Sequence, residues 1–143
     1  MDYISTIHVA ASPEAAKRAI TDQITDWWTD HVDVQGDTRT VHFGQSQKTF
    51  QLIKPKPDQI LWHCTKANLI HAEVSDPHEW EGTTLEWQIS AQGSGTHITL
   101  RHRGLTDALQ CYGICVGGWQ HFFEGSLNAF LNGQPATPSR PKR

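Results

Sequence analysis

The 143-residue sequence predicts an α+β fold in which a curved antiparallel β-sheet is covered by one long C-terminal helix. Two patterns carry this expectation. Between Leu85 and Arg103, apolar and polar side chains alternate on both sides of a short glycine-containing turn, as in a half-buried hairpin. From Cys111 to Leu131, apolar residues recur at helical spacing, and no other segment is long enough to cover a sheet face.

The elements follow in order. Tyr3 to Val9 mixes aromatic and branched residues and reads as a strand. Ser12-Pro13-Glu14 starts a helix: a capping side chain, a proline suited to the first turn, and an acid at the positive end. Ala15, Ala16, Ala19 and Ile20 form its apolar stripe, and Ile24 to Trp28 is a second short helix. Strands are expected at Thr40 to Phe43, Thr49 to Ile53 and Gln59 to Lys66, with a turn at Lys54 to Asp58 because proline does not continue a ladder. Leu69 to Val74 is expected as a further irregular strand, followed by an acidic loop from Ser75 to Gly82. Leu85, Trp87 and Ile89 share one face of the next strand. Ile98, Leu100 and His102 share the inward face of the strand after it. Gly117-Gly118 inside the last helix costs roughly 1 kcal/mol per glycine and suggests a bend or the close approach of another backbone. Asn132-Gly133 stops the helix. The expected organisation is one domain over residues 1–133 and a frayed polar tail over 134–143.

Composition narrows the function classes. With 37% hydrophobic and 19% charged residues the chain is globular rather than disordered. Twelve basic against fifteen acidic side chains give −3, which is no footprint for nucleic acid. No apolar run approaches the roughly 20 residues of a membrane span. The first residues lack the layout of a signal peptide, and three cysteines do not make a disulfide framework, so a reduced, cytoplasmic protein is expected. There is no phosphate-binding glycine loop and no nucleophile elbow, and no cofactor is expected.

Six tryptophans in so small a chain suggest the lining of a space between sheet and helix. Trp62, Trp87 and Trp119, with Phe122 and Phe123, either wall such a cavity or fill a solid core; Trp28 would close one end. Trp80 belongs at the mouth or anchors the acidic loop. His102 either hydrogen-bonds a ligand, acts as an acid or base, or anchors the last helix. Cys111 and Cys115, four apart on one helix, lack the further ligands of a metal site and are expected as inert buried thiols, as is Cys64. His71, Glu73, Asp76, His78, Glu79 and Glu81 read as a solvated loop rather than a cation site, so no metal is expected.

The element order, with Glu79-Trp80-Glu81-Gly82-Thr83, His102-Arg103-Gly104-Leu105 and the Gly118-Trp119 pair, resembles the START-like helix-grip superfamily, also called SRPBCC, over Ile4 to Gly133. It is most similar to the group named for the activator of the heat-shock chaperone ATPase. The resemblance implies a helix-grip fold with a cavity between sheet and helix. That superfamily includes lipid carriers, cyclases and receptors, so fold alone leaves function open. The expected function is binding of a small apolar or aromatic molecule by Trp28, Trp62, Trp87, His102, Trp119, Phe122 and Phe123, ahead of an enzyme of cyclase, dehydratase or hydrolase type using the same cavity. A homodimer and a co-chaperone contact with a heat-shock ATPase are the further partner readings.

Overall fold

A computed structural model describes residues 1–140. Its elements are β1 (Tyr3–Val9), α1 (Pro13–Asp22), α2 (Ile24–Trp27), β2 (Val32–Gln35), β3 (Thr38–Phe43), β4 (Ser46–Lys56), β5 (Gln59–Asn68), β6 (Thr84–Gln92) and β7 (Gly95–Arg103). A continuous helix then runs over 112–131. It comprises α3 (Tyr112–Trp119), π-helical turns (Gln120–Leu127) and α4 (Asn128–Leu131). The seven strands form one antiparallel sheet in the order β1-β7-β6-β5-β4-β3-β2. This is the expected α+β architecture, a curved open sheet with a C-terminal helix of about 20 residues. None of the helices among the described residues is long and apolar enough to cross a membrane.

Local chemistry sets the boundaries. Ser12 Oγ accepts from the Ala15 N–H at 3.1 Å and Pro13 occupies the first turn of α1, so Ala16, Ala19 and Ile20 face inward. The β6–β7 turn is Gly93-Ser94, and Gly93 has φ +60, a left-handed conformation that glycine adopts without strain. On the face towards the helix, Leu85, Trp87 and Ile89 of β6 and Ile98, Leu100 and His102 of β7 are all buried, as the period of two requires.

Four expectations are corrected. The chain continues as strand through Lys56, so the turn contracts to Pro57-Asp58, with a register shift between Ile53 and Lys56 that accommodates the irregularity. Leu69 to Val74 is not a strand. The Leu69 N–H bonds the Pro77 carbonyl, the Ile70 N–H bonds Ser46 Oγ and the Val74 N–H turns back to His71, so no ladder partner is left. Of the two readings of Gly117-Gly118, the close approach of another backbone fails: a Cβ at either would meet nothing within 4 Å. Finally, residues 134–140 are not a frayed end. The Thr137 N–H bonds Ser126 Oγ at 2.9 Å, the Ser139 N–H bonds the Trp28 carbonyl at 2.8 Å and the Asp30 N–H bonds the Ser139 carbonyl at 3.0 Å. The last three residues of the expected tail lie outside the described residues.

Candidate functional site

Between the helix and the β3–β4 side of the sheet lies an open recess of about 160 Å3. Trp28 follows α2, Phe43 ends β3, Ser46 and Lys48 begin β4, and Leu69 and Trp80 come from the β5–β6 connection. The helix supplies Ile114, Cys115, Gly118, Trp119 and Phe122. The aromatic walls hold one another. Trp28 lies 5.2 Å from Trp119 and 5.7 Å from Phe43, Phe43 lies 5.7 Å from Phe122, and Trp80 stacks on Trp119 at 5.9 Å.

Of the residues the sequence singles out, Trp28, Trp119 and Phe122 meet at this recess; Trp62, Trp87, Phe123 and His102 do not line it. Trp87 packs edge-on behind Trp119 at 6.1 Å and against Phe123 at 5.8 Å, and Trp62 lies against Phe50 at 5.7 Å. The aromatic set is thus divided between solid core and open wall. Trp80 lines the recess and is itself 3% exposed.

His102 is tied into a relay. The Trp119 indole N–H donates to its Nδ1 at 3.1 Å, which fixes that nitrogen as the acceptor. Nε2–H therefore donates to Thr83 Oγ1 at 2.9 Å, and the Thr83 hydroxyl donates to the Trp80 carbonyl at 2.7 Å. Burial, with the Lys48 charge acting in the same sense, pushes the His102 pKa down to about 3. A fully buried imidazole with both nitrogens engaged is an anchor for the helix and the Trp80 loop, and it is not placed to exchange protons with anything in the recess.

Lys48 and Cys115, which sequence reasoning did not assign to a site, both face the recess. Lys48 is only 7% exposed, and its Nζ sits 3.8 Å from the Trp80 ring centre and 5.3 Å from that of Phe43. No hydrogen bond or ion pair to Nζ occurs among the described residues. Burial lowers its pKa, against the opposing influence of Cys115, Cys64 and Cys111. The signal was available: Phe50 is inward, so residues 46 and 48 share its face. The expected strand started at Thr49, which left Lys48 outside it.

Cys115 is the second. Its Sγ accepts from the Trp80 indole N–H at 3.1 Å. Its pKa lies below the ordinary thiol value, first because of the bond with Cys111, then through the Lys48 charge and Trp80, all against burial. Burial pushes Cys64 up to about 12, and the bond with Cys115, with burial, pushes Cys111 up. All three thiols are buried, and Cys115 alone of them stands in the wall of the recess.

The acidic loop is structural in part. The Glu79 carboxylate accepts from the N–H groups of Gln110 and Cys111 at 2.9 and 3.0 Å, just where the last helix begins. Among the described residues one group has donors arranged as a metal would need. His31, Asp33 and His42 have ligand atoms within 4.8 Å of one another, on and beside β2 and β3 and away from the recess lining. The Asp33 carboxylate already receives His42 Nε2 at 2.8 Å, and the two imidazoles stack at 3.9 Å.

No protein-family model matches the chain, and no curated protein matches it. Solved structures do. The chain is similar to the Aha1 dimer from Colwellia psychrerythraea, at 22% identity over 92% of this chain and 96% of that one, with a TM-score of 0.75. It is similar to protein MLL2253 from Mesorhizobium loti, at 19% identity over 90% of this chain and 94% of that one, TM-score 0.67. DynU16, described as a putative protein in the dynemicin biosynthetic locus, is 18% identical over 94% of this chain with a TM-score of 0.67; the match covers 48% of DynU16. The fold is therefore the START-like, or SRPBCC, helix-grip fold.

Proposed function

We propose that this protein binds a small aromatic molecule in the recess between β4 and the C-terminal helix. The observation that carries the reading is the open recess walled by Trp28, Phe43, Trp80, Trp119 and Phe122. Size decides the ligand class. A cavity near 150 Å3 accepts benzene, and a recess of about 160 Å3 is too small to enclose a lipid or a polycyclic product. One ring buries on the order of 150 Å2, worth about 4 kcal/mol at about 25 cal/mol per Å2, so a single-ring compound should bind near millimolar.

Titration of the 15N-labelled protein with 2-phenylethanol tests this. Saturable shifts confined to the indole N–H signals of Trp28, Trp80 and Trp119 and to the Ile114–Phe122 amides are expected. Shifts that never saturate, or that scatter over the β1–β7 edge, would remove the reading.

A further inference from the structure

We propose that Lys48 is the anion-binding group of this recess and that the molecule held there is an aromatic acid with a single carboxylate. The inference rests on the recess reading above and names its ligand class. An ammonium nine-tenths buried with no carboxylate beside it is costly, and the two rings beside Nζ return only part of that cost. Something arriving from outside can complete such a group, and Lys48 lines the open recess.

The neighbouring chemistry specifies the anion. Ser46 lies two residues away on the same face of β4 and also lines the recess. Its Oγ accepts from the Ile70 N–H at 2.9 Å, and among the described residues its hydroxyl proton has no acceptor. An ammonium and a hydroxyl donor on one strand face match the two oxygens of a carboxylate. A phosphate dianion is disfavoured because no second cation shares the recess. Arg39, the other buried cation, is committed to the Gly36 and Thr21 carbonyls and to Asp22. The ring of the acid would lie between Trp28, Trp119 and Phe122.

The experiment compares phenylacetate with 2-phenylethanol, nearly the same shape without the charge, on wild type and Lys48→Met. In wild type, phenylacetate should bind at least tenfold more tightly. In Lys48→Met the preference should vanish. A wild-type signal keeps the test independent of the variant's folding: the Lys48 ε-methylene 13C resonance should shift with phenylacetate and not with 2-phenylethanol. Equal affinities in wild type, a preference that survives Lys48→Met, or a Lys48 resonance unmoved by phenylacetate would overturn the assignment and leave the recess reading standing. Failure of both compounds to bind folded wild type would remove the recess reading and this one together. Tighter binding of phenyl phosphate than of phenylacetate would replace the carboxylate by a phosphate.

Discussion

Trp27 and Trp87 are both fully buried, yet only Trp27 has a partner for its indole N–H, the Ala19 carbonyl at 2.8 Å. The N–H groups of Trp62 and Trp87 have none among the described residues. An unmet buried donor costs about 1–3 kcal/mol. Replacing tryptophan by phenylalanine removes similar volume at each site, but at Trp87 it also removes the orphan. Trp27→Phe should therefore destabilise by about 1–2 kcal/mol more than Trp87→Phe in urea unfolding, and the reverse order would show that Trp87 finds a partner in solution. A second residue-scale prediction concerns the thiols. The Cys111 bond, the Lys48 charge and the Trp80 N–H favour thiolate at Cys115, whereas burial holds Cys64 protonated. Iodoacetamide should modify Cys115 first, with a pH midpoint below the roughly 8.5 of a free thiol, and Lys48→Met should raise that midpoint. Peptide mapping that finds Cys64 labelled as fast as Cys115 would contradict it.

At the scale of elements, the C-terminal helix explains its own irregularity. Cys115, Trp119, Phe123, Leu127 and Leu131 are all buried and each lies four residues after the last. On an α-helix a step of four overshoots a turn by about 40°, so such a ladder drifts off its face within a few steps. π-helical turns, with about 4.4 residues each, drift by about 30° the other way. Alternating α and π segments keeps the ladder facing the sheet, and the π-helical stretch Gln120–Leu127 sits in the middle of it. The spacing was legible in the sequence; the helix type was not, because a period between 3.6 and 4 is read as an ordinary helix. Gly118 belongs to the same element and faces the recess with nothing within 4 Å of a Cβ placed there. Gly118→Ala should therefore stabilise the protein by about 0.5–1 kcal/mol through helix propensity alone. Gly118→Leu should fill the recess and abolish 2-phenylethanol binding with the melting temperature retained. Unchanged binding in the leucine variant would place the ligand elsewhere.

For the whole molecule, what could be read from the chain depended on whether the signal was local. The β6–β7 hairpin and the long helix carry their own periodicity, so the sheet-and-helix architecture followed from them. β2 has only Val32 and Val34 as apolar residues and exists through its pairing with β3, so nothing local announced it. The recess is the extreme case. Phe43, Lys48, Leu69 and Trp80 converge from separate segments that no local pattern relates. His102 ties these parts together, and its burial makes global stability depend on pH. Its folded pKa of about 3 lies below the roughly 6.5 of an unfolded histidine, so between those values the unfolded chain binds a proton that the folded protein excludes. Its contribution is fully present above pH 6.5 and is lost progressively as the pH falls towards 3, amounting to roughly 2 kcal/mol of lost stability by pH 5. His102→Asn keeps an acceptor for the Trp119 N–H without a titrating ring. This variant should be less stable than wild type at pH 7.5 and lose less stability between pH 6.5 and 5, as measured by urea unfolding at each pH. Parallel stability curves for the two proteins across that interval would mean that His102 is protonated in the folded state after all, and that the Trp119–His102–Thr83 relay does not close the helix onto the sheet.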